Sequence, residues 1–214
     1  MNETVMATLG LGFILGLKHA TEADHLAAVA AIVTEKRSLW QSAVVGGLWG
    51  AGHTVSLLVA GFFVIALGVA IPERLANLLE LAVALMIVFL GTRLLRHAPS
   101  MTTHDHAHNG FSEWRPVLVG IVHGLAGSAA LTLLVLAEVV RNGTPALGFA
   151  YLLVFGAGSI GGMLLMSSLI GLPISLGARF FQRTLVPIRV LVGVMSTGFG
   201  VLYALRIMQK LSML

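Results

Sequence analysis

Cysteine is absent from the 214 residues, which excludes a disulfide framework and a thiolate metal site and leaves the redox compartment unmarked. Charge is scarce, at 10% of residues against about 25% in ordinary soluble domains. No P-loop occurs, so nothing points to ATP as an energy source. No His-Glu-x-x-His sequence occurs either, and Gly127-Ser128-Ala129 lacks the flanking glycine of a rhomboid-type serine site. The opening residues lack a basic stretch, carrying only Glu3 before Lys18. The first apolar run therefore reads as a retained helix and not a cleaved signal.

What is abundant is apolar. The hydrophobic fraction is 57% and the mean hydropathy +0.94, the signature of a multi-pass membrane protein. A hydrocarbon core takes about 20 apolar residues per helix, and six runs reach that length, at about 4–33, 39–70, 74–97, 116–141, 145–172 and 185–209. Pro116 opens the fourth, as suits a first helical position, and Pro173 is expected to end the fifth. Phe180 and Phe181 belong to a short amphipathic connector before the sixth. The formal charge of +4 does not suggest nucleic acid, because Lys and Arg sit mostly in short loops. Lys36, Arg37, Arg93, Arg96, Arg115, Arg179 and Arg183 fall on one side, against Arg74, Arg141, Arg206 and Lys210 on the other. A positive excess marks the cytoplasmic side, so both termini are expected outside, in a chain expected in a bacterial cytoplasmic membrane.

The two halves resemble each other. Gly16-Leu17-Lys18-His19 aligns with Gly120-Ile121-Val122-His123, and Trp49-Gly50-Ala51-Gly52-His53 with Phe155-Gly156-Ala157-Gly158-Ser159, at spacings of 104 and 106 residues. Phe89 to Gly91 matches Phe199 and Gly200 more weakly. The expected fold is therefore all-α integral membrane, with six transmembrane helices as two inverted three-helix repeats, residues 1–97 and 113–214, joined by a histidine-containing loop, 98–112. Three helices per repeat is an odd number, so the second half must be inverted, a recurring transporter design with a site near the midplane.

Within the first run, Lys18-His19-Ala20-Thr21-Glu22-Ala23-Asp24-His25 places five ionisable side chains in eight residues. Each charge at the centre of such a run costs roughly 2.5–3.5 kcal/mol on insertion scales, and a bound cation would compensate two imidazoles and two carboxylates. On a regular helix His19, Asp24 and His25 point in three directions. They converge only if the helix unwinds between about Ala20 and Ala23, or if Asp24 orients a ligand histidine through its other ring nitrogen. His19 and Glu22 share a helical face, as do Glu22 and His25, while Lys18 and Glu22, at i,i+4, are placed to pair as supporting residues. His53 and His123 lie beside glycines in other apolar runs and complete a candidate set of His19, Asp24, His25, His53 and His123. Imidazole suits Ni, Co, Zn, Cu and Fe(II). Glu80 and Glu138 are further intramembrane acids, fit for proton or structural roles. His104, His106 and His108 form a loop cluster, either simply solvated or gathering metal at the pore mouth.

The segment Lys18 to His25 matches, position by position, the Arg/Lys-His-Ala-x-x-Ala-Asp-His signature of the nickel/cobalt transporter superfamily. Gly52-His53-Thr54-Val55 resembles that family's second motif, built on Gly-His-Ser/Thr. The resemblance implies metal recognition by His19, Asp24, His25 and His53. The larger family members have eight helices and an acidic Phe-Asp-Thr-Ala-Thr-Glu type motif in the second half. Here that helix reads His123-Gly124-Leu125-Ala126-Gly127-Ser128-Ala129-Ala130, without a carboxylate, and is more similar to the compact urease-accessory-type branch.

The expected function is thus transport of a divalent transition metal, Ni²⁺ or Co²⁺ first and Zn²⁺, Mn²⁺ or Fe²⁺ behind them, by a non-enzyme driven by an ion gradient or a partner protein. The partners implied are the ion, the bilayer, and a second copy or a metallochaperone. Rival readings are a non-transporting metal-binding accessory for metalloenzyme assembly, an intramembrane metallohydrolase, and a bis-histidine haem protein.

Overall fold

A computed structural model describes residues 3–36, 38–67, 72–98, 114–126, 140, 144–180 and 185–213. Its described residues form helices: α1 (Glu3–His19), α2 (Ala23–Val33), α3 (Leu39–Leu67), α4 (Glu73–His97), α5 (Arg115–Gly124), α6 (Pro145–Phe180) and α7 (Leu185–Ser212). α3, α4, α6 and α7 are each long and apolar enough to cross a membrane. α1 and α2 make a fifth span if taken together, bent by 55° at the break between them. The chain is a multi-pass membrane protein. The outer part of the fourth predicted run, with Gly127, Ser128 and Glu138, lies outside the described residues, as does the loop carrying His104, His106 and His108.

The exterior is apolar and the interior polar, the reverse of a water-soluble fold. Leu85, Phe89, Leu191 and Met195 are exposed, while His19, His25, His53 and His123 are buried. Small residues supply the close contacts between helices, as membrane packing requires. Gly46 meets Met163, Gly50 meets Ile160, and Gly156 meets Thr54, so α3 and α6 run antiparallel. Gly12 meets Tyr151, Gly16 meets Phe155, and Gly162 meets Ala20, so α1 runs parallel to α6. Gly120 meets Trp49 and Gly124 meets Ser56, which makes α5 parallel to α3. α1 and α5 therefore point in opposite directions. Gly91 meets Thr197 and Gly200 meets Ala84, making α4 and α7 antiparallel.

The break after α1 has a local cause. Lys18 O accepts both the Thr21 amide (2.9 Å) and the Thr21 hydroxyl (2.6 Å). This tight turn replaces the bond that Glu22 N would make in a continuing helix. Glu22 is then extended, with φ −65° and ψ 148°, and caps the start of α2.

Pro173 does not end the fifth run. α6 continues through it to Phe180, with only the i→i−4 bond to the Leu169 carbonyl forfeited. Within a bilayer no water competes for the backbone, so losing one bond does not open the helix. Phe180 is consequently the last residue of a helix and not part of a connector. Phe181 lies outside the described residues.

A Cβ at Gly16 or Gly120 would run into backbone atoms of the facing helix, whereas Gly10 and Gly198 have nothing within 4 Å. Gly16→Ala and Gly120→Ala are expected to lower the thermal transition of the detergent-solubilised protein. Gly10→Ala and Gly198→Ala, gaining about 0.5–1 kcal/mol of helix preference, leave it unchanged or raise it. Scanning fluorimetry of the four variants checks the contrast.

Candidate metal centre

The broken span carries the centre. His19 is the final residue of α1, and Asp24 and His25 lie in the first turn of α2. The 55° bend turns these side chains toward one another and toward His53 on α3 and His123 near the end of α5. All four imidazoles are at most 4% exposed. The His25 ring is central, its centroid 4.0 Å from that of His123, 4.5 Å from His19 and 5.3 Å from His53. Two triads have ligand atoms within 4.8 Å of one another: His19, His25 and His53, and Asp24, His25 and His123. The structure thus brings together all five residues of the predicted set, through the unwinding expected between Ala20 and Ala23.

A carboxylate only accepts hydrogen bonds, and that assigns the imidazole tautomers. His25 Nδ1 donates to Asp24 Oδ1 at 3.0 Å, and His123 Nε2 donates to Asp24 Oδ2 at 2.9 Å. Asp24 Oδ1 also accepts the His25 backbone amide at 2.9 Å. His19 Nδ1 donates to Glu22 Oε1 at 3.2 Å. His25 Nε2, His123 Nδ1 and His19 Nε2 are thereby left as lone-pair nitrogens. His19 Nε2 lies 3.0 Å from His53 Nε2, so His53 donates there and its own Nδ1 is bare. His25 Nε2, His53 Nδ1 and His123 Nδ1 are all buried without a hydrogen-bond partner among the described residues. Orphaned buried acceptors cost about 1–3 kcal/mol each, and such a concentration is the mark of a ligand site.

The surrounding field suits a cation. The carbonyl end of α1 points at the centre and the Asp24 charge sits at the start of α2, each favourable to its neighbour.

The expected pairing of Lys18 with Glu22 does not form. Once Glu22 is extended the i,i+4 geometry no longer exists, and its carboxylate takes His19, three residues back, instead. His97 lies apart from the centre on α4, its Nδ1 donating to Arg93 O at 2.9 Å.

Sequence reasoning missed two neighbours. Trp49 lies parallel to the His25 ring at 5.6 Å and 15°, and Phe155 packs on His19 at 5.6 Å. Their signal was present, since each is one helical turn before the glycine-flanked His53 or Ser159. The bridge from Asp24 to His123 joins residues 99 positions apart, and no local pattern encodes it.

Comparison with known proteins agrees with this geometry. The chain is 36% identical over 213 residues to the urease accessory protein UreH of Bacillus sp. (strain TB-90), covering 93% of this chain and 91% of that one. It is 31% identical over 75 residues to the high-affinity nickel transport protein of Cupriavidus necator, covering 35% of this chain and 21% of that one. No protein-family model and no solved structure matches it. With the Lys18–His25 motif folded around four buried histidines, and a relative similar over nearly its whole length, the chain belongs to the UreH-like branch of the nickel/cobalt transporter superfamily.

Proposed function

We propose that the protein is a permease for a divalent transition-metal cation, Ni²⁺ or Co²⁺, which it binds at the histidine centre as its transported substrate. The observation that carries this reading is the gathering of four buried imidazoles and a carboxylate, in two triads of potential ligand atoms that share His25, at a break within a membrane span. Imidazole donors suit Ni²⁺ and Co²⁺ among the divalent transition metals. Metal bound by His19 Nε2 and His53 Nε2 displaces the proton that these two atoms share. In this reading Asp24 orients His25 and His123 and offsets the cation's charge, and Glu22 does the same for His19.

The same reading takes the chain as six spans in two inverted repeats, 1–97 and 113–214, with 98–112 between them. Helix contacts support it. Gly16 and Gly120, 104 positions apart, face Phe155 with Ser159 and Trp49 with His53 respectively, pairs that are themselves 106 apart. Gly52 faces Val117 as Gly158 faces Phe13, and Gly50 faces Ile160 as Gly156 faces Thr54. Gly91 faces Thr197 and Gly193, while Gly200 faces Val88 and Ala84, a correspondence at a spacing of 109 residues. α1 and α5 also end at matching points, beside His19 and His123.

The relative's printed name, an accessory protein, favours one alternative, in which the chain holds metal for enzyme assembly without moving it. Purified protein in liposomes separates the two. Transport predicts Ni²⁺ or Co²⁺ flux into vesicles containing no other protein, abolished in His19→Ala and His25→Ala. Flux equal to wild type in both variants refutes the site, and metal binding without flux makes the protein an accessory.

Asp24→Asn keeps the side chain's shape but cannot accept from both imidazoles with both atoms. Loss of such an orienting carboxylate costs roughly 10–100-fold in metal affinity. Isothermal titration of the detergent-solubilised variant should show that weakening with an unchanged helical circular dichroism spectrum.

A further inference from the structure

A vestibule of about 530 Å³ adjoins the centre, lined by Glu22, Asp24, Glu80, Tyr203, Arg206 and Lys210 among others. It meets the centre at Asp24, the residue bonded to His25 and His123, and the imidazoles themselves lie behind that carboxylate. Its walls are the early part of α4, at Glu80, and the later part of α7, from Phe199 to Lys210. It therefore leads to the end of the bundle where α4 begins and α7 finishes.

The other end is different. There Lys36, Arg93 and Arg115 gather around a separate space, with Arg93 paired to Glu35 at 3.2 Å. α2 is tied to α7 along its length, Ser196 Oγ donating to Ala27 O at 2.9 Å and Arg189 Nε to Thr34 O at 3.1 Å. Among the described residues, the space that reaches Asp24 opens toward the first of these ends. A positive excess marks the cytoplasmic side, which puts the mouth of the vestibule outside.

We propose that this vestibule is the inlet by which a hydrated divalent cation reaches the histidine centre, and that Glu80 is the side chain that draws the cation in. This rests on the transport reading above. The size fits the hydrated ion. At about 30 Å³ per water, an ion with six waters occupies on the order of 200 Å³, so it enters without losing its shell. Water is stripped past Asp24, where the imidazoles replace it. The charges are graded along the path. Lys210 lies in the last turn of α7, Glu80 and Arg206 face each other across the vestibule, and Glu22 and Asp24 stand at the break in the first span. Glu80 forms no ion pair among the described residues, so its charge acts on what enters. Arg206 opposes it.

The test uses that opposition. In liposomes at low ionic strength, Glu80→Gln raises the metal concentration for half-maximal uptake about three- to fourfold, the factor for removing one unit charge about 10 Å from a divalent ion in a water-like dielectric. Arg206→Gln lowers it by a similar factor, and both shifts fade toward 1 M salt, where screening reaches about 3 Å. Structural damage would not give opposite signs. Shifts of the same sign, or shifts indifferent to salt, overturn the proposal.

A second measurement does not depend on flux. Because the chain has no cysteine, Leu202→Cys introduces one thiol at the vestibule wall without background. In right-side-out vesicles a membrane-impermeant cationic thiol reagent should label it faster than an anionic reagent of equal size. That preference should diminish when Glu80→Gln is added. Labelling only from the opposite face, or no charge preference, overturns the inlet. The expected labelling in a protein that carries no metal refutes transport alone, and its absence in a protein that does transport refutes the inlet alone.

Discussion

The centre depends on the break in its first span. At the break the α-ladder gives way to a turn, in which Thr21 N bonds Lys18 O and Glu22 N bonds His19 O, and Glu22 becomes extended. Everything nearby follows from that. The 55° turn brings Asp24 and His25 back toward His19, frees Glu22 to hold His19, and aims the carbonyl end of α1 at the same point. An uninterrupted helix with the same residues would spread these side chains around its circumference. The polar cluster is costly in a bilayer because of its composition, and the break in the helix is what gathers it.

Glycine contacts hold the frame in which that turn operates. Several close approaches between helices are made through positions with no side chain, Gly16 and Gly158 at one contact and Gly52 and Gly120 at another. In the proposed repeat His19 would correspond to His123, and His53 to Ser159, which donates to Gly16 O at 3.4 Å. Such a repeat would hold a symmetric frame around a centre whose chemistry differs between its two sides.

Much of this was legible from residues alone. Helical periodicity left two ways for the motif to gather, a break between Ala20 and Ala23 or an orienting Asp24, and the chain does break there. The misjudged features are those decided by what a neighbour does. Glu22 was placed on a face with His19, which it does meet, but its other candidate partner, Lys18, is lost because the break removes the i,i+4 geometry. Pro173 was taken as a stop, although a helix surrounded by apolar neighbours has no better place for its backbone groups. The bridge between Asp24 and His123, and the vestibule above it, arise from packing of segments far apart in the chain. Periodicity carries no information about such contacts.

The stacking of Trp49 on His25 gives the molecule an internal optical reporter. The chain has three tryptophans, and two of them, Trp40 and Trp114, are 77% and 67% exposed, while Trp49 is 1% exposed. An indole held in that dry environment emits at shorter wavelength than the exposed pair. Its excited state also lies within van der Waals reach of any change in protonation or ligation of the imidazole beneath it. The blue edge of the intrinsic fluorescence therefore belongs to the centre of the protein, and the red edge to its surface.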